Sequence, residues 1–83
     1  MADVEIIRDA VVKAVASVTK MSEEEVASQP DANFSNDLGM TSVEFFPIIS
    51  ELEDALGIEI DFAGYLNNAT SVNATVEYLA STM

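Results

Sequence analysis

The chain has 83 residues, 49% of them hydrophobic, which is enough for one modest core and too apolar for a disordered segment. Fifteen Asp and Glu against three Lys and Arg give a net charge of −12, which repels phosphate backbones and argues against nucleic-acid binding. Cysteine and histidine are both absent, which excludes disulfides, Cys- or His-ligated metal sites, a Ser-His-Asp triad and a thiol nucleophile of the chain's own.

The same charge attracts basic surfaces on other proteins. Arg8, Lys13 and Lys20 are the only cations, so everything after Lys20 is acidic or neutral. No apolar run reaches the roughly 20 residues of a membrane span. The opening Met1-Ala2-Asp3-Val4-Glu5 lacks the basic and apolar regions of a signal peptide. A cytoplasmic, monomeric protein is expected, with residues 1–83 forming a single domain.

A first helix is predicted from about Asp3 to Thr19. Val4, Ile7, Val11, Val15 and Val18 recur at three- and four-residue spacing, and Ile6, Ala10, Ala14 and Ala16 flank that stripe. Asp3 and Glu5 suit the positive end of the helix dipole and Lys20 the negative end. Ser22 and Glu25 form a capping pair for one or two further turns, which stop at Gln29-Pro30-Asp31. A long loop follows from Pro30 to about Met40, with Phe34 and Leu38 expected to tuck onto the core.

The second main helix opens near Thr41 or Ser42, with Thr41 and Glu44 as a capping pair, and ends at Leu56-Gly57. Phe45, Ile48, Ile49, Leu52 and Leu56 make its core face. Pro47 conflicts with a helix interior, so a bend or a loosened first turn is expected. After the extended link Ile58-Glu59-Ile60, a short helix from Asp61 to about Asn67 would turn Phe62 and Leu66 inward. Thr70 or Ser71 caps the last helix, which carries Val72, Val76 and Leu79, with Tyr78 beside them. The predicted fold is all-α: three main helices plus one short helix, with the long loop between the first and second main helices.

The most informative stretch is Phe34-Ser35-Asn36-Asp37-Leu38-Gly39-Met40-Thr41-Ser42-Val43-Glu44, continued by Glu51-Leu52-Glu53 and Gly57-Ile58-Glu59-Ile60. It resembles the acyl carrier and peptidyl carrier family, whose pattern is an aromatic, then Asp-Leu-Gly, then a serine three residues after the glycine that opens an acidic helix. The resemblance covers nearly the whole chain. It implies an acyl-carrier-like bundle in which Ser42 bears 4′-phosphopantetheine, taken from coenzyme A by a phosphopantetheinyl transferase. The arm's thiol would then hold acyl intermediates of fatty-acid or polyketide-type biosynthesis. The family also implies docking of basic patches on acyl-transferring and synthase enzymes at Glu44, Glu53 and Asp54, with Glu51 added here. A chain of this length with its own Met1 is expected to be free-standing rather than a synthase segment.

Two positions depart from the family pattern: Thr41 stands where aspartate is usual, and Pro47 where an acidic residue is frequent. Threonine at that place occurs among polyketide-type carriers, and Pro47 reshapes the docking face toward a dedicated set of partners. Met40, Val43 and Phe46, beside the serine, are expected in the core.

Other readings use the same residues. Ser42 also makes an ordinary helix cap. Asp31, Asn33, Ser35 and Asp37 alternate as in a calcium-binding loop, but the sixth position is Asn36 instead of glycine and the twelfth is Ser42 instead of glutamate. An acidic helical adaptor without a prosthetic group explains charge and size equally well. An enzyme is the least supported class, because Ser42 has no base and Gly39-Met40-Thr41-Ser42-Val43 is not a nucleophile elbow.

Overall fold

Helix starts in this chain are written by short polar side chains, most of which turn back onto their own first turn. The computed structural model describes residues 3–82. Asp3 accepts from the Glu5 and Ile6 amides at 3.0 and 3.4 Å and opens α1, Val4–Thr19. Lys20 ends α1 in the left-handed region at φ 61°, a place usually taken by glycine. The Ser22 hydroxyl accepts from the Glu25 amide at 3.0 Å and opens α2, Glu23–Ala27. Thr41 precedes α3, Ser42–Leu56, which stops at Gly57 with φ 65°. The Asp61 carboxylate accepts from the Gly64 amide at 2.9 Å and opens α4, Phe62–Asn68. The Ser71 hydroxyl accepts from the Ala74 amide at 3.1 Å at the start of α5, Val72–Thr82. The three main helices stand as expected. The turns after Ser22 form an element of their own, so there are two short helices instead of one, and the described residues contain no strand.

In the bundle α1 packs on α3 and α5, α2 leans on α1, and α4 lies against α5 and α3. Ile7, Val11 and Val15 meet Ile48 and Leu52 of α3 and Val72, Val76 and Leu79 of α5 in one dry core. Each such side chain contributes roughly 1.5–3 kcal/mol by leaving water. The ends of the α1 stripe overhang it, with Val4 exposed and Val18 half-buried. On α3 the expected face is buried at Phe45, Ile48, Ile49 and Leu52, and half-buried at Leu56.

The short helix α4 corrects one expectation. Phe62 and Leu66 are only partly buried, and the innermost residue is Tyr65, with 0% exposure. Its ring stands edge-on to Phe45 (6.0 Å between centroids) and to Tyr78 (6.5 Å), an arrangement that aromatic quadrupoles favour. Phe62 instead stacks on Phe46, outside the core.

The Tyr65 hydroxyl has no hydrogen-bond partner among the described residues, while the buried Thr75 hydroxyl already donates to the Ser71 carbonyl at 2.6 Å. Burial pushes the Tyr65 phenol well above its ordinary range, with the Thr75 side chain acting in the opposite direction. The unfolded phenol therefore loses its proton near pH 10, while the folded one keeps it. Above that pH the native state binds more protons than the unfolded state, so stability falls as pH rises. Tyr65→Phe is expected to leave the fold as stable or more stable at pH 7 and to flatten this alkaline loss. Urea midpoints at pH 7 and pH 11 test it, and an equally steep loss in the variant would refute it.

Pro47 does not interrupt α3, which runs unbroken from Ser42 to Leu56. The first turn is tightened rather than loosened, because the Glu44 amide bonds the Thr41 carbonyl three residues back at 3.0 Å. Proline supplies no N–H to the Val43 carbonyl. Both residues are exposed, so water can take that carbonyl instead.

The long loop is tied down along its length. The Phe34 amide donates to the Thr70 carbonyl at 2.9 Å, and the Met40 amide donates to the Phe34 carbonyl at 2.8 Å. Phe34 is 1% exposed, and Leu38 is half-buried. Asn73 binds three ways: its amide to the Pro30 carbonyl (2.9 Å), its Nδ2 to Asp31 (2.8 Å), and its Oδ1 to Arg8 (2.7 Å). The residues that resembled a calcium loop are used in the same way. Asn33 Oδ1 accepts from the Ser35 and Asn36 amides, each at 2.9 Å, and Asp37 accepts from the Asn33 amide at 2.8 Å. Among the described residues no group of three Asp or Glu side chains converges as a metal would require.

Candidate functional site

Asp37, Gly39, Met40, Thr41 and Ser42 each have a separate task in aiming the junction. Asp37 folds the loop back on Asn33. Gly39 takes a left-handed φ of 68°, where a side chain would be strained. That reversal lets Met40 drop into the core while its amide holds the Phe34 carbonyl. Thr41 adopts extended backbone as the N-cap, and its amide donates to Glu44 Oε1 at 3.0 Å. Ser42 is then the first residue of α3, fully on the outside.

The Ser42 hydroxyl has no hydrogen-bond partner among the described residues, and neither do the Ser42 and Val43 amides. A phosphate ester at this place would meet two open N–H groups and the positive end of the α3 dipole. The residues present therefore fit a phosphodiester on Ser42. Among the described residues no side chain bonds the Ser42 hydroxyl; the chain has no imidazole, and the Glu44 carboxylate on the same turn is engaged with Thr41.

The four acidic residues expected to dock partners divide in two. Glu51 and Asp54 are exposed, with no bond to the rest of the chain among the described residues. Glu44 and Glu53 are half-buried and also serve the fold: Glu44 caps α3, and Glu53 Oε2 accepts from the Ile60 amide at 2.9 Å. The Glu53 contact ties the extended link to the helix it follows, and nothing local in the sequence signals it.

Of the three apolar neighbours expected in the core, only Met40 is there. Val43 is 70% exposed and Phe46 is 58% exposed. The apolar positions on α3 exceed what one core face can cover, so the surplus faces outward. The Phe46 ring lies parallel to Phe62 of α4, with centroids 4.4 Å apart and planes 8° apart. Sequence reasoning missed this pair, because its members lie 16 positions apart on different helices.

A helical bundle with an exposed serine opening an acidic helix is the arrangement expected of a small carrier domain. The family model described as phosphopantetheine attachment site matches residues 9–79. The chain belongs to that family, the carrier domains of acyl carrier proteins, which hold 4′-phosphopantetheine as a covalent prosthetic group. No helix among the described residues is long and apolar enough to cross a membrane.

Proposed function

We propose that the protein carries acyl intermediates of fatty-acid or polyketide-type biosynthesis, with Ser42 as the attachment residue, and that it catalyses nothing itself. The observation that supports this best is the free Ser42 hydroxyl beside two open amides at the start of α3. In attachment, the Ser42 oxygen bonds to the phosphorus that bears the pantetheine of coenzyme A, and the pyrophosphate bond to the adenosine half breaks. The Ser42 proton goes to a base on the transferase, because this chain has no imidazole and no described carboxylate bonds the Ser42 hydroxyl. The bound group supplies a thiol that holds an acyl chain as a thioester. Glu51 and Asp54, with the outer edges of Glu44 and Glu53, steer basic patches of the transferase and of acyl-handling enzymes toward Ser42.

Intact mass after incubation with coenzyme A and a broad-specificity phosphopantetheinyl transferase tests this reading. The expected result is a gain of one phosphopantetheine on the native chain and none on Ser42→Ala. A folded native chain that gains nothing with several transferases would leave the acidic adaptor as the better reading.

A further inference from the structure

Three helices leave a groove of about 440 Å³ that the carrier reading does not use. Its lining residues come from α1, α2 and the start of α5, and from neither α3 nor the loop before Ser42. The floor is apolar: Val12 and Val72 are buried, and the exposed Ala27 contributes a methyl group. Carboxylates stand on two of its walls, Glu5 and Asp9 about one turn apart on α1 and Glu23 with Glu24 on α2. We infer that this groove binds a short basic segment of a partner protein, in which an aliphatic side chain flanked by Lys or Arg lies on Val12 and Val72.

Charge and shape choose that occupant together. Four exposed carboxylates line the groove against one guanidinium, Arg8, which already donates to Asn73 Oδ1 at 2.7 Å. Among the described residues Glu5, Glu23 and Glu24 make no side-chain hydrogen bond or ion pair. Asp9 meets only Lys13, at 3.2 Å, in an exposed pair that a partner's cation can replace at little cost. Carboxylates on two helices call for more than one cation, which a peptide segment supplies and a simple amine does not. At this size the groove admits a few side chains rather than a folded surface, and its apolar floor favours an aliphatic one. A second copy of the chain brings another −12 and is repelled, as are an anionic bilayer and a nucleic acid. A partner held here leaves Ser42 and α3 uncovered, and binds the loaded and the unloaded chain alike.

The test is titration of the isotope-labelled native chain with a nonapeptide of repeating Leu-Lys-Lys, followed by amide NMR shifts at low and high salt. A nonapeptide of repeating Ser-Lys-Lys carries the same charge without the aliphatic side chains. The Leu-Lys-Lys peptide is expected to bind roughly tenfold tighter than the Ser-Lys-Lys peptide, with the largest shifts at Val12, Ala27 and Val72. Ala27→Phe fills the groove without changing its charge and should abolish that preference, leaving both peptides equally weak. Glu23→Gln with Glu24→Gln should weaken both peptides and lower the salt dependence. Glu51→Gln with Asp54→Asn, on α3, should leave the preference intact. Circular dichroism checks folding, and Ala27→Leu replaces Ala27→Phe if that variant does not fold. Equal binding of the two peptides to the native chain overturns the inference. A preference that survives in a folded Ala27 variant, or that the α3 substitutions remove, overturns it too. Spermidine binding with the affinity of the Leu-Lys-Lys peptide would assign the groove to a small amine, and self-association of the native chain that Ala27→Phe abolishes would assign it to a second copy; either result also overturns it.

Discussion

Phe34→Ala is expected to destabilise the protein by about 3–5 kcal/mol, the usual cost of emptying a fully buried aromatic site. A domain of 83 residues has roughly 4–12 kcal/mol in total, so this one change removes a large fraction of it. The ring touches the side of Phe45 at 6.2 Å between centroids, and its backbone holds Thr70 on one side and Met40 on the other. Losing the ring therefore frees the middle of the long loop as well as leaving a void. The thermal midpoint should fall by well over 10 °C, because each kcal/mol moves a domain of this size by about 4–8 °C. Phe34→Leu should lose much less, because it refills most of the volume. Thermal melts by circular dichroism at fixed salt decide it, and a midpoint within a few degrees of the native protein would show that the loop is not anchored through this ring.

Pro47→Ala should act in the opposite direction, stabilising the fold by about 1–3 kcal/mol. Proline in a helix interior costs about 3 kcal/mol relative to alanine. It also restricts the unfolded chain, which returns roughly 0.4–1 kcal/mol of that cost. Alanine supplies the N–H that the Val43 carbonyl lacks, and its exposed position leaves room for the change. A higher urea midpoint with an unchanged slope is the expected result. A lower midpoint would mean that the turn around Pro47 is held by contacts that need the ring.

Much of this architecture was readable from local chemistry. Asp3, Ser22, Asp61 and Ser71 announce helix starts because a cap acts on amides two or three residues away, and Thr41 does so through Glu44 three residues on, distances the sequence displays directly. The core stripes of α1 and α3 follow from periodicity for the same reason. What failed was the part decided by other elements. Tyr65 outcompeted Phe62 and Leu66 for the interior because Phe45 and Tyr78 stand where its ring can meet both edge-on. Val43 and Phe46 looked like core because α3 has apolar residues on more than one side, and periodicity does not say which side α1 covers. Glu53 read as a surface charge, yet a turn of chain brings the Ile60 amide to it. At the candidate site, the loop-to-helix junction at Ser42 was legible, whereas the openness of its amides and the outward-facing Phe46–Phe62 stack are properties of the folded chain.

The bonds that gather at Asn73 have a mechanical meaning. They pin Pro30 and Asp31 to α5, and through Arg8 to α1, while Phe34 and Met40 pin the far side of the same loop. A segment that could have swung like a slack rope is thereby turned into a bracket. A group carried at Ser42, as proposed, would then pivot about a point at the end of a loop that is tied on both sides. Two stations visited in turn would find the pivot in the same place each time.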